Sequence, residues 1–156
     1  MKTIIICLIA VVVVACLYTV VHRILINRAT IILRRQAQET TDAAVNDSLQ
    51  TLLGWDRSLN SQLVADVWGK GVLAFEYHFD GDETRDAKLT PQSLNKQLGN
   101  YANDHQLTAV NTKFSVFKVT DWWQYEGVLH IDVAYILNEA TAEYVADLKK
   151  LKQHSK

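Results

Sequence analysis

Cysteine is almost missing from this chain: there are two, Cys7 and Cys16, and both stand inside an apolar run near the N-terminus. The remainder can therefore form no disulfide, carries no thiol nucleophile and offers no cysteine-based zinc site, and cysteine usage says nothing of the redox compartment. Catalytic signatures are absent too. No Gly-rich phosphate loop, GxSxG, HExxH or CxxC occurs, so we expect neither an enzyme nor a cofactor. A basic stripe is also wanting. Residues 56–156 hold eleven Lys and Arg against fourteen Asp and Glu, which argues against nucleic acid as a partner, because phosphate neutralisation supplies most of that affinity. No internal repeat, Pro-rich stretch or low-complexity linker breaks the sequence.

What is present in excess is hydrophobic length. Thr3 to Val21, TIIICLIAVVVVACLYTVV, is nineteen residues without a charge, Gly or Pro. As a helix it reaches about 28 Å, close to the roughly 30 Å of a bilayer's hydrocarbon core. A cleavable signal has a shorter apolar region, whereas this run resumes after His22 and Arg23 with Ile24, Leu25 and Ile26, so a retained anchor over residues 1–26 is expected. Val13-Val14-Ala15-Cys16 behind Lys2 resembles the lipobox of bacterial lipoproteins, which implies acylation of Cys16; the residues after that Cys stay apolar, where lipoproteins turn polar.

Two signals oppose each other on orientation. Arg23, Arg28, Arg34 and Arg35 form a membrane-proximal basic cluster that by the positive-inside bias puts the soluble part in the cytoplasm. A short basic start before an apolar run has the form of an uncleaved signal anchor, which delivers the domain outside. We take the extracellular side, with the cytoplasmic one as the alternative.

Residues 27–54 have no Pro and no Gly before Gly54 and read as the helix continuing out of the membrane as a stalk. Gln38, Val45 and Leu52 recur at seven, with Thr41 or Asp42 and Leu49 between them, a short heptad that would suit a coiled-coil dimer. Residues 55–156 then make one small soluble domain, about one hundred residues being enough for one core and not two. Leu59, Leu63, Val64, Val67 and Trp68 predict a second amphipathic helix after Asp56 as N-cap. Val72 to Phe79 alternates at period two and predicts a strand with Leu73, Phe75, Tyr77 and Phe79 inward. Asp80-Gly81-Asp82 predicts a turn, Glu83 to Leu89 a short return strand, and Thr90-Pro91 the start of a helix striped by Leu94, Leu98, Tyr101 and Ala102. Val110 to Trp122 and Val128 to Leu137 predict a hairpin around Gln124-Tyr125-Glu126-Gly127. A phase change between Val116 and Phe117 in its first arm implies a bulge or burial on both faces. Asn138 caps a last helix with acids first and lysines last.

Three polar or aromatic groups could carry function. Glu76 and His78 on one predicted strand, with His130 and Asp132 on another, all oppose the apolar rows; if the strands are neighbours, two imidazoles and two carboxylates converge, a set suited to a metal such as Zn²⁺ or to acid-base work. Polar-out alternation of a solvated sheet face gives the same pattern. Asp80 to Asp86 spaces acids as calcium loops do, but Arg85 stands where such loops need Gly and Pro91 where they need the closing Glu, so a solvated turn is expected. Trp122, Trp123 and Tyr125 cluster at a hairpin end, where two adjacent Trp cannot both point inward, so at least one is exposed or covered, either as an interface with a partner or membrane or by edge packing inside the domain itself.

The expected fold is α+β: a transmembrane helix continuing into a helical stalk, then a small antiparallel sheet packed with helices. The order span, stalk, α, β, β, α, β, β looks like that of the small bitopic subunits of type II secretion and type IV pilus assembly platforms, which implies a permuted ferredoxin-like domain. Pilins and pseudopilins pair an anchor with a helical stalk as well, but their prepilin peptidase Gly and following Glu have no counterpart here. The function expected is that of a single-pass membrane protein working through protein-protein contacts, as a structural subunit of an envelope assembly, with itself or another protein as partner. The alternative is a membrane-tethered binding or sensor domain for a small ligand or metal.

Overall fold

The computed structural model describes residues 2–55, 57–64, 71–80 and 88–154. The elements run α1 (Lys2–Leu53), β1 (Gln62–Leu63), β2 (Ala74–Asp80), α2 (Pro91–Asp104), β3 (Phe117–Tyr125), β4 (Val128–Tyr135) and α3 (Glu139–His154). The protein is α+β, with a long N-terminal helix and an open four-stranded antiparallel sheet. It forms two units, Met1–Arg35 and Gln36–Lys156.

The first unit is helix alone. Ile4, Val12, Ile9, Ile6 and Val14, spread around the helix, stand at least 56% exposed, so its first five turns show neither a polar face nor a core-facing stripe. The hydroxyls of Thr19 and Thr30 are turned back onto the carbonyls of Cys16 and Ile26, the way an apolar helix hides a polar group. This helix is long and apolar enough to cross a membrane.

The second unit is built on the sheet, in the order β1-β2-β4-β3. The inward rows Phe75, Tyr77 and Phe79 of β2 and Leu129, Ile131, Val133 and Tyr135 of β4 form one buried face with Leu94, Leu98 and Ala102 of α2 and with Ala44, Val45 and Leu49 of α1. The short heptad of α1 is thus consumed in its own domain's core rather than left as a dimer seam: Thr41, Val45 and Leu49 are all buried. The compact unit begins at Gln36, inside the 27–54 segment read as stalk. Tyr77 reaches across the core to donate a 2.7 Å hydrogen bond to Asp42 Oδ1; burial first, then the Asp42 charge, pushes its phenol far above the ordinary range, so it stays a donor. On the opposite face Tyr144, Val145 and Leu148 of α3 pack against Ala74 and Ala134 at one end of the sheet.

Several expectations need correction. The helix predicted from Leu59 is not formed: residues 57–61 are irregular and Gln62–Leu63 is a strand. Side chains of α1 hold that segment extended. Asn46 clamps Leu59 from both sides (Leu59 N to Oδ1 2.8 Å, Nδ2 to Leu59 O 3.0 Å), and Gln38 Nε2 donates to Ser61 O at 2.8 Å. Val67 and Trp68, the return strand from Glu83 and the acid-rich Asp80 to Asp86 loop fall wholly or mostly outside the described residues. The first arm of the hairpin starts at Phe117 and not at Val110, so the phase change marks the strand's beginning; a true bulge lies farther on, between Val119 and Asp121.

Other boundaries follow local chemistry. Gly54, at φ +70°, ends α1 with its N–H on Gln50 O. Glu126 and Gly127 both have positive φ, the signature of a two-residue type I′ turn between β3 and β4. Thr90 and Ser93 form a capping box at α2, and Asn138 Oδ1 accepts from the Thr141 N–H to cap α3. Edge strand β3 is itself capped: Val119 N–H donates to Asn95 Oδ1 at 2.9 Å, and Lys152 Nζ donates to Thr120 O at 2.7 Å.

Candidate functional site

On the face of the sheet away from the core, beyond the end that α3 covers, β2 and β4 run antiparallel with His78 opposite His130 and Glu76 opposite Asp132. Period-two alternation puts all four on this face. Side chains on neighbouring strands also meet along the diagonal. Here the diagonal brings Glu76 to His130: His130 Nδ1 lies 2.8 Å from Glu76 Oε1, and His78 Nε2 lies 3.0 Å from the same oxygen. The two imidazoles meet edge to face at 4.6 Å. One carboxylate oxygen therefore faces two ring nitrogens, and one donor atom from each of the three residues lies within 4.8 Å of the others. The cluster is partly withdrawn from water, the side chains of His130, Glu76 and His78 being 18%, 24% and 38% exposed. Burial alone would raise the Glu76 carboxyl, but the hydrogen bonds and charge of His130 and His78 outweigh it and hold that group below the usual carboxylate range.

Trp123 roofs this cluster. The bulge at Thr120 advances β3 by one residue, so Asp121 faces Asp132, Trp122 faces Ile131 and Trp123 faces His130. Trp123 stacks on the His130 ring at 4.9 Å and 13° between planes. Trp122 turns the other way and packs on the core. Of the aromatic trio, Tyr125 is the most open at 63% exposed, Trp123 being 37% exposed.

Asp132 shares the face but not the cluster. It is 6% exposed, its Oδ1 has no hydrogen-bond partner among the described residues, and burial, followed by the charges of Glu76 and Asp121, pushes its carboxyl up to about 7. Tyr144 of α3 is raised as well, by burial and then by the Asp132 charge.

Of the basic residues, Arg23, Arg28 and Arg35 are exposed along α1 and Arg34 is half-buried. Cys16 is exposed on the same helix; the side chain of Cys7 lies outside the described residues. One feature is hidden from the overall charge balance: Lys113, Lys118, Lys149, Lys150 and Lys152 line a groove of about 1100 Å³ beside β3 and α3, floored by Val145 and Leu148. The lysine-rich end of α3 was the sign of it in the sequence; that β3 and the loop before it lie alongside was not. No family model, curated protein or solved structure matches the chain.

Proposed function

We propose that this chain is a single-pass membrane protein whose N-terminal helix holds it in the cell membrane and whose Gln36–Lys156 unit works outside the cell by protein contacts, as a structural subunit of an envelope assembly rather than an enzyme. The observation that carries this reading is the pair Trp123 and Tyr125, exposed at the open end of edge strand β3. Aromatic side chains on a rigid hairpin are the anchors that protein interfaces use most. The caps on Val119 and Thr120 leave side-chain docking, and not strand addition, as the mode of contact.

Topology supports the same reading. Moving the first strand of a β-α-β-β-α-β ferredoxin-like domain to its end gives α-β-β-α-β-β with spatial order 1-2-4-3. That is the order from α1 to β4 here, with α3 added on the outer face. A permuted ferredoxin-like domain behind a membrane helix is the arrangement of the bitopic assembly-platform subunits named above.

The test is size-exclusion chromatography of the detergent-solubilised full chain. We expect an oligomer that Tyr125→Ala and Trp123→Ala each reduce to monomer without lowering the melting temperature. A wild-type monomer, or loss of stability with no change in assembly, would count against the contact.

A further inference from the structure

We propose that Glu76, His78 and His130 form a three-donor site for a first-row divalent transition metal, with Zn²⁺ the simplest occupant. The donor atoms are His130 Nδ1, His78 Nε2 and a Glu76 carboxylate oxygen, supplied by two adjacent strands whose register is fixed by pairing along their whole length. Sites on strands hold geometry better than sites on loops.

The spacing fits. In tetrahedral zinc, with Zn–N and Zn–O of about 2.0–2.1 Å, neighbouring donor atoms stand roughly 3.3 Å apart. Here the two nitrogens lie 2.8 and 3.0 Å from Glu76 Oε1, close to that spacing, and all three donor atoms fall within 4.8 Å of one another, so the two rings turn toward each other to admit the ion. Two imidazoles and one carboxylate suit Zn²⁺, Cu²⁺, Ni²⁺ or Fe²⁺ and not the hard all-oxygen cations Ca²⁺ and Mg²⁺. On binding, each coordinating nitrogen gives up the proton it shares with Glu76, which passes through solvent to the ring's other nitrogen or, from a doubly protonated ring, to bulk water, and its lone pair goes to the metal. Glu76 exchanges the hydrogen bonds it accepts for a metal bond, and the hydrated ion loses a water for each protein donor. Three protein donors leave a fourth position for water or a small ligand. Trp123, stacked on His130, restrains that ring without supplying a donor.

Two other described histidines provide internal controls. His105 Nδ1 is 2.9 Å from Tyr101 O, and His22 stacks on Tyr18, neither within a cluster of donors.

The experiment is calorimetric titration of ZnCl₂ into the chelator-treated full chain in detergent near neutral pH. We expect one Zn²⁺ per chain, with affinity falling more than about tenfold in each of His78→Ala, His130→Ala and Glu76→Gln, while His105→Ala leaves it unchanged. His78 is exposed enough that its removal spares the fold, so that variant decides the matter if His130→Ala unfolds. Cu²⁺ should also quench a share of the tryptophan emission that Trp123→Phe removes. Absence of binding heat, or stoichiometric binding undiminished in His78→Ala, would overturn the proposal.

Discussion

Asp132 and Glu76 are register partners on one face, yet their carboxylates live under opposite conditions. Glu76 is held ionised by two imidazoles; Asp132, buried and short of a partner for Oδ1, is pushed up to about 7. An acid that holds its proton more tightly in the fold than in the open chain favours folding while protonated. Its contribution is full below about pH 3.8 and is lost as the pH rises through about 7. Asn is a near copy of the protonated group. In the presence of chelator, Asp132→Asn is therefore expected to flatten the fall in melting temperature between about pH 5 and about pH 8, and to melt several degrees higher at the upper end. Thermal denaturation of both proteins at the two pH values checks this. The alternation of His78, His130 and Glu76 is plain in the sequence once the two strands are assumed to be neighbours. Their meeting at one oxygen, the exclusion of Asp132 from that meeting and the Trp123 roof are not, because they depend on diagonal side-chain reach and on a one-residue bulge at Thr120.

The strands and helices with one clean period were legible: the β2 and β4 alternations, the Leu94, Leu98, Ala102 stripe of α2, and the Asn138 cap. Legibility failed where a segment's shape is decided by a distant element. Leu59, Leu63 and Val64 have helical spacing, but a helix from Asp56 needs the carbonyls of Leu59 and Ser61 to accept from N–H groups four residues on, and here Asn46 and Gln38 take those carbonyls. No local pattern records that competition. Asn46→Ala should consequently free residues 58–61, speed their amide exchange and cost the fold about 1–3 kcal/mol, since it strips a partly buried N–H and C=O of their partner. Exchange mass spectrometry with a denaturant melt would show both; unchanged exchange at Leu59 would mean that the clamp is not what holds the segment.

The division at 35/36 makes the latter half of α1 a core element of the folded unit. Val45 and Leu49 are fully buried, and burying each such side chain is worth about 1.5–3 kcal/mol, against a total stability of about 5–15 kcal/mol for a domain. A fragment spanning 36–156 is expected to fold and melt cooperatively, while one starting at 55 is expected to be unfolded or aggregated; circular dichroism of the two settles the boundary. Read from the sequence, the stalk ends at Gly54, where the helix stops; a long helix without Gly or Pro gives no mark where solvent ends and packing begins.

The capped edge of β3 takes on a further meaning when copies of the chain share one membrane. Molecules confined to a plane and facing the same way collide edge-on far more often than molecules in solution, and sheets with free edges would zip sideways into ribbons. Asn95 and Lys152, reaching in from α2 and α3, deny the next molecule a run of free backbone groups at Val119 and Thr120. For a chain anchored as proposed, these two contacts would work against strand addition along β3 between neighbours in the plane.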